Sequence, residues 1–198
     1  DRESGIEGIL VIDSTVMGPG KGGIMMVPDI TVSEVKALAK AMTFKNALAK
    51  IPYGGAKSGI KFQATAKEDK LKAMRSFAKM IKEYIPAAYV AGPDMNVGED
   101  EIAAFCNELN SKGAATGKPA KMGGLPNELG STGYGVAMST LVALDFAGIP
   151  VKGTSVAIEG FGNVGTFAAK HLLEAGAKIV AVSDSSSCLY SKDGLAID

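Results

Sequence analysis

The sequence predicts an α/β protein in two parts: an N-terminal α/β domain over residues 1–128 and, over 129–198, the start of a second domain built on parallel strands. Three observations carry this. From residue 9 to 110, short β-type runs alternate with longer segments of helical period, the pattern of an α/β domain. A stretch rich in Gly, Pro, Lys and Asn over 111–130 reads as a connector. Beyond it, a continuous apolar run enters Gly160-x-Gly162-x-x-Gly165 and leaves as a helix.

The elements follow in order. Residues 9–16 and 23–27 read as strands. Thr31-Val32-Ser33-Glu34 is a capping-box sequence and opens a helix to about Lys50. At about 100° per residue, Val35, Leu38, Ala41, Met42, Leu48 and Ala49 share one side of it, and Lys36, Lys40 and Lys50 the other. Lys45 falls inside the apolar stripe. Residues 60–62 form a short strand. Residues 67–85 form a second amphipathic helix, with Leu71, Met74, Phe77, Ala78, Ile81 and Ile85 inside. A strand over 89–91 ends in Gly92-Pro93-Asp94, and a third helix over 99–110 is acidic at its start, as the helix dipole favours. After the connector come a helix over 133–147, a strand over 154–158, a helix from the glycine turn to about Ala175, a strand over 178–182, and Asp184.

That last unit is the dinucleotide-binding, Rossmann-type pattern, because the glycines sit between strand and helix and Asp184 follows Gly160 by 24 residues. Gly160 allows the tight turn, Gly162 lets backbone approach a pyrophosphate at the helix N-terminus, and Gly165 allows helix and strand to pack closely. Asp184 is placed for the ribose hydroxyls of NAD. Ser185-Ser186-Ser187 offers hydroxyls to the 2′-phosphate of NADP, so both cofactors stay open.

Composition narrows the function. Of 198 residues, 46% are hydrophobic, with 21 basic and 21 acidic side chains. The balanced charge and the lack of a basic tract argue against a nucleic-acid partner. No apolar run reaches the roughly 20 residues that span a bilayer. The Asp-Arg-Glu-Ser start has no signal-peptide pattern, so a cytoplasmic location is expected. One histidine, His171, and two distant cysteines, Cys106 and Cys188, offer no metal-ligand spacing, so no metal site is expected.

Three lysines stand out. Lys21 lies in Pro19-Gly20-Lys21-Gly22-Gly23, Lys45 in the apolar stripe, and Lys57 in Tyr53-Gly54-Gly55-Ala56-Lys57-Ser58-Gly59, read as a loop. A buried ammonium is costly unless an anion meets it. Three converging on one cleft would receive a small dicarboxylate. A desolvated lysine also has its pKa lowered and can act near neutral pH, which suits Lys57. Asp94, at a strand end, is a candidate proton carrier. His171 and Cys106 read as packing residues.

These residues resemble a known family. Pro19 to Ile24, Met42-Thr43-Phe44-Lys45-Asn46-Ala47-Leu48, Ile51 to Gly59, Gly92-Pro93-Asp94 and Gly160 to Gly165 occur in the order and spacing of the glutamate/leucine/phenylalanine/valine dehydrogenases, over about residues 18–198. The resemblance implies a substrate domain, a Rossmann-type domain and a cleft between them, with reversible NAD(P)-dependent oxidative deamination of an L-amino acid. It implies that Lys57 and Asp94 are catalytic. Lys57 would activate water and stabilise charge developing on oxygen, and Asp94 would carry protons to and from the amine. Lys45 would hold the α-carboxylate, Gly23 and Met42 would line the pocket, and Thr132 would approach the nicotinamide amide. Gly160, Gly162, Asn163, Val164, Gly165, Asp184 and Ser185 would form the cofactor site. Lys21 would meet a side-chain carboxylate. Leucine- and phenylalanine-type enzymes carry an apolar residue there, so glutamate, interconverted with 2-oxoglutarate and ammonium, is the expected substrate. A homohexamer is implied as well.

Departures from the pattern are Gln63-Ala64 after the lysine segment, Met25-Met26 where an arginine is common, and Glu128 in place of another arginine. They leave two alternatives: an enzyme for leucine, valine or phenylalanine, and a non-catalytic regulatory paralogue. Family chains are about twice as long, so a partial chain is expected.

Overall fold

The computed structural model describes residues 5–63, 66–125 and 129–197. Ala64 and Glu128, two of the departures above, lie outside the described residues. The chain forms two compact units, 1–126 and 127–198.

The first unit is a mixed sheet with helices. Its strands are β1 (Glu7–Ser14), β2 (Gly20–Lys21), β3 (Ile24–Met26), β4 (Gly54–Lys61) and β5 (Tyr89–Val90). They run in the order β1-β4-β2-β5, with β3 also on β4. β1 is antiparallel to β4, and the other pairings are parallel. The helices are α1 (Val32–Leu48), α2 (Lys67–Ile81) and α3 (Glu99–Glu108). The inner face of α2 follows its period at Met74, Phe77, Ala78 and Ile81, which are buried and joined by Ala73, with Leu71 half-buried; the helix stops at Ile81, four residues short of the expected end, so Ile85 lies beyond it in extended chain. They pack with Ile24, Ile60, Ile102 and Phe105 in the main core. Met25 and Met26 belong to the core too, at 6% and 2% exposure, so β3 has apolar neighbours where an arginine side chain would have no water.

Two expectations need correction. The glycine-rich segment around Lys57 is no loop. It is the buried central strand β4, with Val11 opposite Lys57 on one side and β2 and β3 on the other. And the inner face of α1 is rotated from the expected one: Val35 is buried, Leu38 and Met42 are half-buried and Lys36, Lys40 and Lys50 are exposed as expected, but the rest of the stripe is not inside. Its buried residues are Val35, Ala39 and Asn46, while Leu48 is 83% and Phe44 57% exposed, and Lys45, Ala41 and Ala49 are exposed with them. The two corrections share a cause. At Gly54 and Gly55 β4 carries no side chain, and there α1 descends onto bare backbone. A first side-chain carbon on Gly55 would lie 2.1 Å from Thr43 Oγ1 and 2.6 Å from Ala39 O. Asn46 Nδ2 donates to Gly54 O at 2.6 Å, fully inside. Small and amide-bearing residues suit such a surface, and large apolar ones do not fit.

The N-cap half of the capping box is formed: Thr31 Oγ1 accepts from Glu34 N at 3.2 Å. At α3 the glycine N-cap has no side chain, so only the return bond exists, from Gly98 N to Glu101 Oε2 at 2.8 Å.

The second unit holds α4 (Ser131–Phe146), β6 (Ser155–Glu159), α5 (Asn163–Glu174), β7 (Lys178–Ser183) and β8 (Cys188–Tyr190). β6 and β7 are parallel, and β8, which the sequence reading omits, returns antiparallel on β7. Ala137, Ala169, Leu172, Ile179 and Val182 form its core. His171 is structural, edge-on to Tyr134 at 5.1 Å and bonded to Glu174. Among the described residues no helix is long and apolar enough to cross a membrane.

Candidate active site

Lys57 projects from the middle of β4 with its side chain 8% exposed. Its ammonium pairs with Asp94 Oδ2. Asp94 follows β5, and its side chain is 34% exposed, so the pair has one wet side. The other carboxylate oxygen accepts from Met95 N at 2.8 Å. Gly23 closes the third side: a first side-chain carbon there would lie 2.6 Å from Asp94 Oδ2 and 3.0 Å from Pro93 O. Any other residue at 23 would push the carboxylate off the lysine.

Lys21 ends β2, between Gly55 on β4 and Val90 on β5. Its ammonium donates to Ala91 O at 2.8 Å. No carboxylate meets it among the described residues. Burial, then the charges of Lys118 and Lys57, bring its pKa down to about 8. A cation at its tipping point, with no anion of its own, is what a carboxylate receptor needs before its ligand arrives.

The strands are tied behind these side chains by a residue the sequence reading passed over. Tyr89, fully buried, donates from its hydroxyl to Gly22 O at 2.9 Å and accepts from Ser58 Oγ at 2.9 Å. Burial pushes its phenol well above the usual range, so it stays a donor. Tyr89→Phe leaves Gly22 O without its buried donor. We expect about 1–3 kcal/mol of stability to be lost in urea unfolding, because the phenylalanine fills the same space but offers no O–H.

Lys21, Gly23, Lys57 and Asp94 therefore come together. Met42 and Lys45 do not join them. Met42 is half-buried on α1, and Lys45 is exposed, with no hydrogen bond or ion pair to the cluster among the described residues. The third cation near Lys21 is Lys118, from the segment over 111–130 whose composition is that of a connector. Its signal was there: Gly117-Lys118-Pro119 sets a lysine beside a glycine, as Gly20-Lys21-Gly22 does.

In the second unit, the glycine turn is built from three constraints. Gly160 takes φ 90°, a conformation that favours glycine. A first side-chain carbon on Gly165 would lie 2.0 Å from Gly160 O, while one on Gly162 would meet open space. Gly162 caps α5, and Asn163 and Val164 form its exposed first turn. Gly160 N and Phe161 N both donate to Ser183 O at 2.9 Å, tying the turn to the end of β7. There Asp184 Oδ1 accepts from Ser186 N at 2.7 Å, Ser187 N at 2.8 Å and both hydroxyls. These bonds, Ser186 N first, lower its pKa to about 2, so it carries its charge at neutral pH. Ser185 and, at the start of α4, Thr132 are exposed. The open Gly162, the bare α5 N-terminus and the charged Asp184 fit a dinucleotide.

Comparison with known proteins agrees with this geometry. Residues 1–111 match the model for the Glu/Leu/Phe/Val dehydrogenase dimerisation domain, and residues 123–198 match that for Glutamate/Leucine/Phenylalanine/Valine dehydrogenase. The chain belongs to this family. Glutamate dehydrogenase of Aeropyrum pernix is 41% identical over 92% of this chain and 46% of its own length. NADP-specific glutamate dehydrogenase of Saccharolobus shibatae is 39% identical over 93% and 46%, and the NAD-specific enzyme of Staphylococcus aureus 35% over 92% and 46%. Among solved structures, Plasmodium falciparum glutamate dehydrogenase superposes with a TM-score of 0.89 at 31% identity, covering 96% of this chain and 43% of that one. The hetero-hexameric glutamate dehydrogenase of Thermus thermophilus gives 0.86 at 27%, covering 97% and 48%. The chain thus spans about half the length of the curated relatives it matches.

Proposed function

We propose that the protein carrying this chain catalyses the NAD(P)-dependent, reversible oxidative deamination of L-glutamate to 2-oxoglutarate and ammonium. The observation that carries this is the Lys57–Asp94 pair, its lysine buried, with the ammonium of Lys21, which no carboxylate meets among the described residues, two strand positions from it in β4's register. The names of the relatives support it.

The chemistry divides among these groups as follows. Asp94 accepts a proton from the substrate's α-ammonium, leaving a neutral amine. The chemistry that NAD or NADP supplies when bound is acceptance of the hydride from Cα. Lys57, having released its proton to solvent on the exposed side of the pair, takes a proton from the water that attacks the resulting iminium carbon. Asp94 returns its proton to the departing nitrogen, then takes the hydroxyl proton as the C=O forms and passes it to the released ammonia to give ammonium, with the ammonium of Lys57 beside the oxygen where charge develops. Lys21 binds the side-chain carboxylate, Gly23 and Met42 line the pocket, and Lys45 holds the α-carboxylate from the turn of α1 that Asn46 pins to β4. Gly160, Gly162, Asn163, Val164 and Gly165 receive the pyrophosphate, Thr132 the nicotinamide amide, and Asp184 with Ser185 the adenosine ribose. The charge of Asp184 opposes a 2′-phosphate and favours NAD.

We assign residues 1–128 to the substrate domain and 129–198 to the nucleotide domain. The exposed Val16, Phe44 and Leu48 and the family's dimerisation-domain match support assembly of identical copies into a hexamer. We place the protein in the cytoplasm, where Cys106 and Cys188 stay free thiols.

The test is to assay the whole protein on glutamate, leucine, valine and phenylalanine with each cofactor, and to measure its mass by light scattering. Glutamate is expected to be preferred by a hexamer. Preference for a hydrophobic amino acid overturns the substrate assignment, and nucleotide binding without turnover favours the regulatory alternative.

A further inference from the structure

One cation beside the cluster has no part in the chemistry above. Just beyond β5, Ala91 O accepts two donors, Lys21 Nζ at 2.8 Å and Thr116 N at 3.0 Å. Ala91 N donates to Ala114 O at 2.9 Å. The 114–118 segment is thereby bound along the strand end that holds Lys21. Gly92 forms the floor between them: a first side-chain carbon there would lie 3.0 Å from Lys21 Nζ and 3.3 Å from Thr116 Oγ1. Gly117, at φ 70°, lies against the ring of Pro93 and turns the chain back. Lys118, half-buried, then donates to Ala115 O at 2.5 Å. It is held on the residue that bridges Ala91, the same residue on which Lys21 is held.

We propose that Lys118 is a positioning and specificity residue for the carboxylate subsite of Lys21: anchored on Ala115 O, it keeps a second positive charge beside that ammonium and so raises the preference for a doubly negative substrate over an apolar one of equal length. The inference rests on the glutamate reading above. Two effects of the second charge compete. It attracts the incoming carboxylate, and it makes Lys21 easier to deprotonate, being the larger of the two charges that act on it. Below about pH 8 Lys21 keeps its proton and attraction wins. The other groups facing Lys21 do not reverse this. Lys57 acts in the same direction as Lys118, Asp94 is taken up by Lys57, and Tyr89 stays protonated. Cys106 behind the segment is buried, and its thiol is pushed up by that burial.

The test uses Lys118→Gln, which keeps a donor for Ala115 O without the charge, and Lys118→Arg, which keeps the charge. In the whole protein, glutarate affinity is measured by calorimetry from pH 6 to 10, and KM and kcat are measured for glutamate and for norvaline, which lacks the distal carboxylate. For Lys118→Gln at pH 7 we expect glutarate affinity and glutamate KM to worsen about 5–20-fold, with norvaline KM unchanged. The pH at which glutarate affinity falls should move upward, because Lys21 is relieved of a neighbour. Lys118→Arg should keep both within about twofold. A parallel loss for norvaline, or an unmoved pH midpoint, reduces Lys118 to a structural anchor and overturns the proposal. Failure of the glutamate reading shows instead in the wild type, as no preference for glutamate over norvaline, and removes the subsite altogether.

Discussion

Lys57→Met is expected to lower turnover by about 10²–10⁴-fold while nucleotide binding is preserved. The substitution keeps the aliphatic stem in its buried slot on β4 and removes only the ammonium. Asp94 is left without its cation, yet a third of its side chain is exposed and Met95 N still donates to it, so the carboxylate is not stranded and the sheet should hold. The loss then falls on chemistry: no group remains to take the proton from water or to face the developing oxygen charge. Asp94→Asn should give a loss of similar order through the amine's proton. Turnover followed by nicotinamide absorbance and binding followed by its fluorescence separate the two steps. Turnover within tenfold of wild type would remove Lys57 from the catalytic role, and the pair would be a structural ion pair.

Much of this was legible in the sequence, and the reasons differ by residue. The period of α2 was readable because it packs side chain against side chain, so hydrophobicity reports burial directly. Gly160, Gly162 and Gly165 were readable because each answers a steric demand that few sequences satisfy in that context. Gly92-Pro93-Asp94 announced a strand end. What stayed hidden depended on contacts with bare backbone. On the 54–59 segment, five buried small residues around Lys57 look like a turn, since glycine is a poor strand former. They form a strand because neighbouring strands and α1 need the space. That same bare backbone at Gly54 and Gly55 rotated the inner face of α1, keeping Val35 inside and taking in Ala39, Thr43 and Asn46 while leaving Phe44, Lys45 and Leu48 outside. Tyr89, Ser58 and Lys118 were hidden for another reason. Their partners lie 31 or more residues away or, for Lys118, on a carbonyl, and no local pattern encodes which carbonyl a folded chain will present.

Lys21→Met should make the protein more stable and less able to use glutamate. The ammonium of Lys21 is partly desolvated, lies near two like charges, and has only a carbonyl for a partner. Its pKa falls from 10.5 to about 8, which corresponds to a folding cost on the order of 3 kcal/mol at neutral pH. The sign follows from proton counts. Between pH 8 and 10.5 the unfolded chain holds a proton on Lys21 that the folded chain has released, so wild-type stability rises across that window, and the cost is fully present below it. Methionine carries no such cost and fills the stem's volume. Lys21→Met should therefore unfold at higher urea concentration at pH 7, with the advantage disappearing by pH 10.5. Ala91 O keeps Thr116 N and is not orphaned. Activity should move the other way. Glutamate's side-chain carboxylate would enter a pocket with no ammonium to meet it, and kcat/KM should drop by about 10²–10³-fold, while norvaline should be used better than before. In the wild type, glutamate binding above pH 8 must restore the missing proton, so its affinity should fall about tenfold per pH unit there, and Lys21→Met should lose that dependence. A variant that is less stable at pH 7, or that keeps its preference for glutamate over norvaline, would show that Lys21 supports the sheet and does not read the substrate.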